Sequence, residues 1–245
     1  MSRRGRDEGR RWTGGPPNRP TGDGGRPAPG TQHPTGPRVA HPIEVESYRR
    51  LRELVDLSGL PPLSRAVTER VIHASADLDY ASDLVLDEAA LAAGREALLG
   101  GCELIVDSRM VAAGISARAA RVALDGERVA AVAAELGTTR SAAGMLLAAQ
   151  AAGSTAVYVV GNAPTALFAL LEAGVEPPLV IGLPVGFVDA VEAKQALRDA
   201  GLASVTNLSA KGGSAVAAAA LNALLYADPD TDPDTDPDTD PMETT

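Results

Sequence analysis

The sequence predicts an α/β protein: a doubly wound, mainly parallel sheet with helices on both faces, in a single domain with disordered N- and C-terminal tails. Two observations carry this. Apolar runs of strand length, Cys102–Val106, Ala156–Val160, Leu179–Ile181 and Ala203–Asn207, alternate with helical patterns of about ten residues or more. Parallel neighbours need crossovers of that length, and these run right-handed. Both ends of the chain, in turn, have compositions that cannot build a core.

Residues 1–40 hold nine Gly, seven Pro and eight Arg, with three acids and only Trp12 and Val39 as large hydrophobes beyond Met1. Too little apolar surface is available to offset chain entropy, so this head is expected to be disordered. Residues 228–245 repeat Asp-Pro-Asp-Thr, with seven Asp, one Glu and four Pro, and are expected to form an extended acidic tail. The domain is therefore expected over 41–227, enough chain for one substantial core. Of the net charge of −10, the head contributes +5 and the tail −8, leaving −7 for the domain. An acidic body argues against nucleic acid as a partner.

In order along the domain, Ile43–Leu57 reads as a helix with Ile43, Tyr48, Leu51, Leu54, Val55 and Leu57 on one side. Gly59 and Pro61-Pro62 stop it. Ser64 is the expected N-cap of a second helix reaching Ala74, with His73 in its last turn. That position suits either a histidine held by the helix dipole or one recruited for acid–base work. Asp87 caps a helix to Leu99, and the first strand follows with Asp107-Ser108 at its C-terminal edge. Arg109, Met110 and Val111 open a polar connection containing Arg118 and Arg121. Glu127–Leu136 and Thr138–Ala152 are helical, the latter with Arg140 and Ser141 in its first turn. Arginine there opposes the dipole, so either a bound carboxylate or an acidic neighbour recruits it.

The segment Ala156–Lys194 contains two strand-turn-helix units in tandem. In the first, Gly161 allows a tight turn, Asn162 is the expected N-cap and Pro164 fits the opening helical turn. Gly182, Pro184 and Gly186 repeat the pattern. A third glycine-containing helix start, Lys211-Gly212-Gly213-Ser214, follows the last strand and opens a helix to Tyr226. One such start can be a tidy turn and nothing more. Three on the C-terminal edge of a sheet suit a wide ligand that is anionic at several points.

Other chemistries lose ground. The Lys211 run lacks the spacing of a phosphate-binding Walker loop, and neither a Gly-x-Gly-x-x-Gly fingerprint nor a Gly-x-Ser-x-Gly elbow occurs. The single cysteine, Cys102, permits no internal disulfide and no thiolate metal cluster, as expected of a reducing cytoplasm. No apolar run approaches the ~18 residues that span a membrane, and no secretory signal pattern opens the chain.

The segments VIHA (Val71–Ala74), TRSAA (Thr139–Ala143), GNAPTALF (Gly161–Phe168), GLPVGFVDAVEAK (Gly182–Lys194) and KGGSAVAAAALNAL (Lys211–Leu224) occur in this order. Together they resemble the precorrin-8X methylmutase family, the corrin-ring isomerases of cobalamin biosynthesis, across essentially His41–Tyr226. The resemblance implies migration of a methyl group from C-11 to C-12 of precorrin-8X, giving hydrogenobyrinate with no external cofactor and no metal site. It places the catalytic proton donor or acceptor at His73 and a substrate contact at Ser47, within Glu46-Ser47-Tyr48. It also maps a family arginine onto Arg140; Ser141, Asn162, Thr165, Lys211, Gly212, Gly213 and Ser214, at the helix entrances, are the further substrate-binding residues expected to meet the carboxylates around the ring. It further implies a homodimer acting on a tetrapyrrole, with the site near the subunit interface. The family's usual arginine-containing turn before the last Gly-Gly is replaced by Ser209-Ala210-Lys211. Asp107-Ser108-Arg109, after the first strand, also departs from the acidic version expected in the family, which argues against Arg109 as a ligand. A non-catalytic corrinoid carrier on the same scaffold is the alternative, and the retained histidine favours the isomerase.

Overall fold

Four buried apolar runs pair as the parallel core of the sheet. The computed structural model describes residues 42–227, so the expected disordered head and acidic tail lie outside the described residues, as does His41. The expected strands are β2 (Glu103–Val106), β4 (Ala156–Val160), β5 (Val180–Gly182) and β6 (Ser204–Asn207). Two further strands of two residues each, β1 (Leu84–Val85) and β3 (Arg121–Val122), occupy the edges. The order is β1-β6-β5-β4-β2-β3, parallel throughout except for β1, which runs antiparallel to β6. The strand order reverses between β2 and β4, where open α/β sheets place a ligand crevice.

Ten α-helices flank the described sheet: α1 (Pro42–Leu54), α2 (Pro62–Ser75), α3 (Tyr80–Asp83), α4 (Glu88–Leu99), α5 (Arg109–Gly114), α6 (Val129–Leu136), α7 (Arg140–Ala152), α8 (Pro164–Glu172), α9 (Ala190–Asp199) and α10 (Ser214–Tyr226). Alternate residues of each strand point to opposite faces, and both faces are covered. Leu104, Val106, Val157, Val159, Ile181 and Val205 pack with α2, α4, α5 and α10. Ile105, Ala156, Tyr158, Val160 and Val180 pack with α7, α8 and α9. Among the described residues no helix is long and apolar enough to cross a membrane.

Several local expectations need correction. Pro61-Pro62 does not merely end the first helix: α2 starts at Pro62, where a missing N–H is harmless. Ser64 is therefore inside the helix and not its cap. The N–H groups of Leu63 and Ser64, and the Ser64 hydroxyl, donate to the Glu88 carboxylate at 2.7–2.8 Å. On α1, Leu51 is buried, but Ile43 and Leu54 face outward. The arginine-rich connection after β2 contains α5 and β3. The second glycine-proline turn opens no helix at once: Leu183–Asp189 is a loop, and α9 begins at Ala190.

Candidate active site

The parallel strands all finish on one edge, and the loops that follow them carry most of the candidate residues. The chain from α2 reaches the same edge, because β1 is antiparallel and sets Leu84 opposite Asn207 at the end of β6. His73, in the last turn of α2, is brought there with it.

His73 is half-buried between α1 and α2. The Ser47 hydroxyl lies 3.0 Å from its Nδ1, so two candidate residues from different helices do meet. The Tyr48 ring stacks on the imidazole, with centroids 4.7 Å apart and planes 12° from parallel. Arg70 donates to the Tyr48 hydroxyl at 3.1 Å and pairs with Glu44 at 2.6 Å. Burial pushes the Tyr48 phenol above its ordinary range, with Arg70 opposing. Arg52 grips the nearly buried Glu69 through two 3.0 Å bonds, and Arg65 adds a third at 3.2 Å. Ion pairs Arg52–Glu69 and Arg70–Glu44 thus tie α1 to α2, and the Ser47 hydroxyl and the Tyr48 ring, both from α1, meet the imidazole. An open cleft runs along α1 past Pro42, Ile43, Glu46, Ser47 and Arg50.

The first expected anion site is filled by the protein itself. Asp107, at the end of β2 and almost fully buried, accepts from the backbone N–H groups of Gly161 (3.3 Å), Asn162 (2.8 Å) and Ala163 (2.9 Å). A carboxylate is what the positive end of α8 favours, but it comes from the neighbouring strand. Burial pushes the Asp107 carboxyl upward, and the three N–H bonds with Ser108 pull it back. Asn162 is not the N-cap; Ala163 holds that position without a side-chain bond, and the Asn162 side chain is exposed. Gly161 is needed for close approach: a Cβ there would stand 2.7 Å from the Ala217 Cβ and 3.1 Å from the Ser214 Cα.

Lys211 is also engaged. Its ammonium pairs with Asp77 at 2.7 Å and Asp79 at 2.6 Å, clamping the β6–α10 loop to the segment after α2. Those two carboxylates hold it protonated well above the ordinary lysine range. Its ammonium, expected as a substrate contact, is thus already engaged by two carboxylates of the protein. Gly212 and Gly213 follow at φ +148° and +126°, and a Cβ on Gly212 would collide with the carbonyl oxygens of Leu183 and Pro184. Ser214 is buried at the first turn of α10, and its Oγ has no hydrogen-bond partner among the described residues.

Arg140, Ser141 and Thr165 lie on the other face. Thr139 caps α7 by accepting from Ala142 N–H at 3.1 Å, and its hydroxyl meets that of Thr165 at 2.8 Å, so the N-termini of α7 and α8 are tied together. Arg140 is exposed at the first position of α7, and no acidic side chain among the described residues pairs with it. The candidates thus form two groups on one edge, His73 with Ser47 and the Lys211–Ser214 loop, and Arg140 with Ser141, Asn162 and Thr165. No hydrogen bond or ion pair links the two groups among the described residues.

Three polar residues carry no mark of their role in the sequence: Asp107 shows only its place at a strand end, Asp83 stands in no motif, and Lys194 lies inside the longer segment Gly182–Lys194. Lys194 is fully buried and donates to Asn207 Oδ1 and the Lys211 carbonyl, each at 2.8 Å, and to the Ser209 carbonyl. Asp83 accepts from Asn207 Nδ2 and Ser209 Oγ at 2.7 Å and from Ser209 N–H at 2.8 Å.

Residues 42–227 match the family model described as CbiC, precorrin-8X methylmutase. The chain is 41% identical over 199 residues to the precorrin-8X methylmutase of Pseudomonas aeruginosa, covering 76% of this chain and 95% of that protein. It is 38% identical over 196 residues to the cobalt-precorrin-8 methylmutase of Salmonella typhimurium, covering 75% and 93%. Among solved structures, precorrin-8X methyl mutase from Thermus thermophilus superposes with a TM-score of 0.68 at 37% identity, covering 75% of this chain and 93% of that one.

Proposed function

The chain belongs to the precorrin-8X methylmutase family, and from that premise we propose how this isomerase of cobalamin biosynthesis acts. A tetrapyrrole, precorrin-8X or its cobalt form, lies across the C-terminal edge of the sheet, and His73 lends a proton to its conjugated system. The C-11–methyl bond breaks as the C-12–methyl bond forms, and the proton returns to the imidazole. No atom is gained or lost, so the protein's own groups suffice. An imidazole suits this because its ordinary pKa near 6.5 lets it give and recover a proton at neutral pH.

The observation that carries the proposal is the Ser47–His73–Tyr48 cluster: a hydroxyl on Nδ1 and a stacked phenol hold the ring in one rotation. Arg140, exposed at a helix N-terminus without an acidic partner among the described residues, supplies a charge for a ring carboxylate. Ser141, Asn162 and Thr165 stand at the same helix N-termini, and the Gly212–Ser214 run, its Gly213 N–H held by the Leu183 carbonyl at 2.9 Å, contributes the Ser214 hydroxyl on the opposite side. We also take the working form to be a cytoplasmic homodimer. The exposed apolar side chains Val185, Phe187 and Val188 of the β5–α9 loop support a partner surface.

Purified protein incubated with precorrin-8X, and separately with its cobalt form, is expected to change the absorption spectrum of at least one. His73→Ala should abolish conversion and leave tetrapyrrole binding largely intact. Unchanged turnover in that variant removes His73 from the mechanism.

A further inference from the structure

A lysine buried to zero exposure with three oxygens around its ammonium is expensive to place, and the reaction as described does not use it. Lys194 projects from α9 under the loop that joins β6 to α10. Two of its three acceptors are main-chain carbonyls of that loop, at Ser209 and Lys211, and the third is the Asn207 side chain at the end of β6. Asn207, itself fully buried, faces two ways: its Oδ1 takes the ammonium and its Nδ2 donates to Asp83. Asp83 then receives the N–H groups of Leu208 and Ser209 and the Ser209 hydroxyl. An ammonium, an amide and a carboxylate thus specify the path of residues 207–211 from beneath. That path continues directly into Gly212, Gly213 and Ser214.

Resting on the function proposed above, we propose that Lys194 is the positioning residue of the substrate-binding edge: its ammonium holds the β6–α10 loop in the shape that presents Gly212, Gly213 and Ser214 to the tetrapyrrole. It touches no ligand and acts through the carbonyls it holds. Two features separate this from an ordinary buried contact. A protonated amine has three hydrogens for three oxygens, whereas the neutral amine has two, so losing the proton leaves at least one of the three oxygens that fix the loop without its hydrogen. The second feature is that the proton is within reach: burial pushes the Lys194 ammonium down to about 8, Asp83 pulls it up and Arg198, one turn away on α9, pushes it further down. The other charges at this loop, Lys211 with Asp77 and Asp79, are held in their own ion pairs above it.

The test is Lys194→Met in the full chain, read by steady-state kinetics on precorrin-8X, by the dissociation constant for hydrogenobyrinate, and by circular dichroism to establish folding. KM and the dissociation constant should rise about tenfold while kcat falls by less than about threefold, the pattern of lost ground-state binding. In the unmodified protein the dissociation constant should rise up to about tenfold between pH 7 and pH 9, because the competent fraction falls from about nine-tenths to about one-tenth across a pKa near 8. Folded Lys194→Met should show no such rise. Ser209→Ala, which removes one hydroxyl from the same network, should give a smaller loss of affinity. A folded Lys194→Met with unchanged KM overturns the proposal, as does an unmodified protein whose affinity is flat from pH 7 to 9. If Lys194→Met fails to fold, the pH series and Ser209→Ala decide. Absence of turnover in the unmodified protein would instead count against the isomerase assignment, leaving the binding measurements to judge Lys194.

Discussion

Replacing Asp107 by alanine is the sharpest test of how the sheet edge is built. The substitution removes the acceptor of three backbone N–H groups, at Gly161, Asn162 and Ala163, in a turn sealed by the first turn of α10. A buried donor left unsatisfied costs about 1–3 kcal/mol. The 3.3 Å bond from Gly161 is the weakest, and Asn162 is exposed enough for water to take over part of its loss, so the low end applies to those two. Loss of the anion at the N-terminus of α8 adds about 0.3–1 kcal/mol. The sum is about 3–6 kcal/mol, against a stability of about 5–15 kcal/mol for an ordinary domain. For a domain of this size that lowers Tm by about 6–24 °C, at about 2–4 °C per kcal/mol. Thermal unfolding of the full chain followed by circular dichroism reads it directly. Because the vacated turn is a helix N-terminus with free donors, formate should restore part of the loss by binding the folded form alone. A fall of less than 2 °C, well under the ~6 °C lower bound, would refute the cap, and an undiminished fall in formate would show that the turn collapses when Asp107 is gone.

Other perturbations separate stability from chemistry. Ser47→Ala removes the partner of His73 Nδ1; turnover should fall about tenfold, while unfolding by urea shows a loss of only about 0.5–1.5 kcal/mol, the net worth of one hydrogen bond. Glu69→Ala strips Arg52 and Arg65 of a nearly buried partner. Breaking such a pair costs about 3–5 kcal/mol when fully buried, and because Arg52 is a third exposed, equilibrium unfolding should show a value near the lower figure. Gly212→Ala places a methyl group against two carbonyl oxygens at φ +148°, so tetrapyrrole affinity should drop with a stability loss of about 1–3 kcal/mol, measured by titration and melting.

What the sequence made legible was what local patterning determines. Runs such as Ala156–Val160 are buried on both faces, and their apolar character marks them as central strands of a parallel sheet. The two-residue edge strands left no such mark: Leu84–Val85 is too short to show a period, and Arg121–Val122 begins with a charge. Prolines misled at both ends of a helix. Pro61-Pro62 reads as a stop but opens α2, and Pro184 reads as a start but lies in a loop, because punctuation gives the place of a break and not its direction. Partners distant in sequence were the least visible. Glu88 caps α2 from 24 residues away, and Asp107 reaches a turn 54 residues on.

That last class of contact also decides where a polyanion can be held. The domain carries a net −7, so a ring bearing several carboxylates gains nothing from the protein's overall field and must find local donors. At α8 the chain supplies its own anion; at Lys211 it supplies two; beneath the β6–α10 loop the lysine is turned inward onto carbonyls. Each of these donors is spent on holding the edge in shape. On the function proposed above, an external anion is therefore expected at the exposed Arg140 and at the start of α10, where Ser214 Oγ is buried without a partner among the described residues. A buried hydroxyl left unmatched costs free energy in the empty protein, and a ligand oxygen that reached it would recover that cost on binding. Ser214→Ala should accordingly leave the melting temperature unchanged or raise it slightly while weakening tetrapyrrole binding; a lowered melting temperature with unaltered affinity would mean that the hydroxyl serves the fold alone.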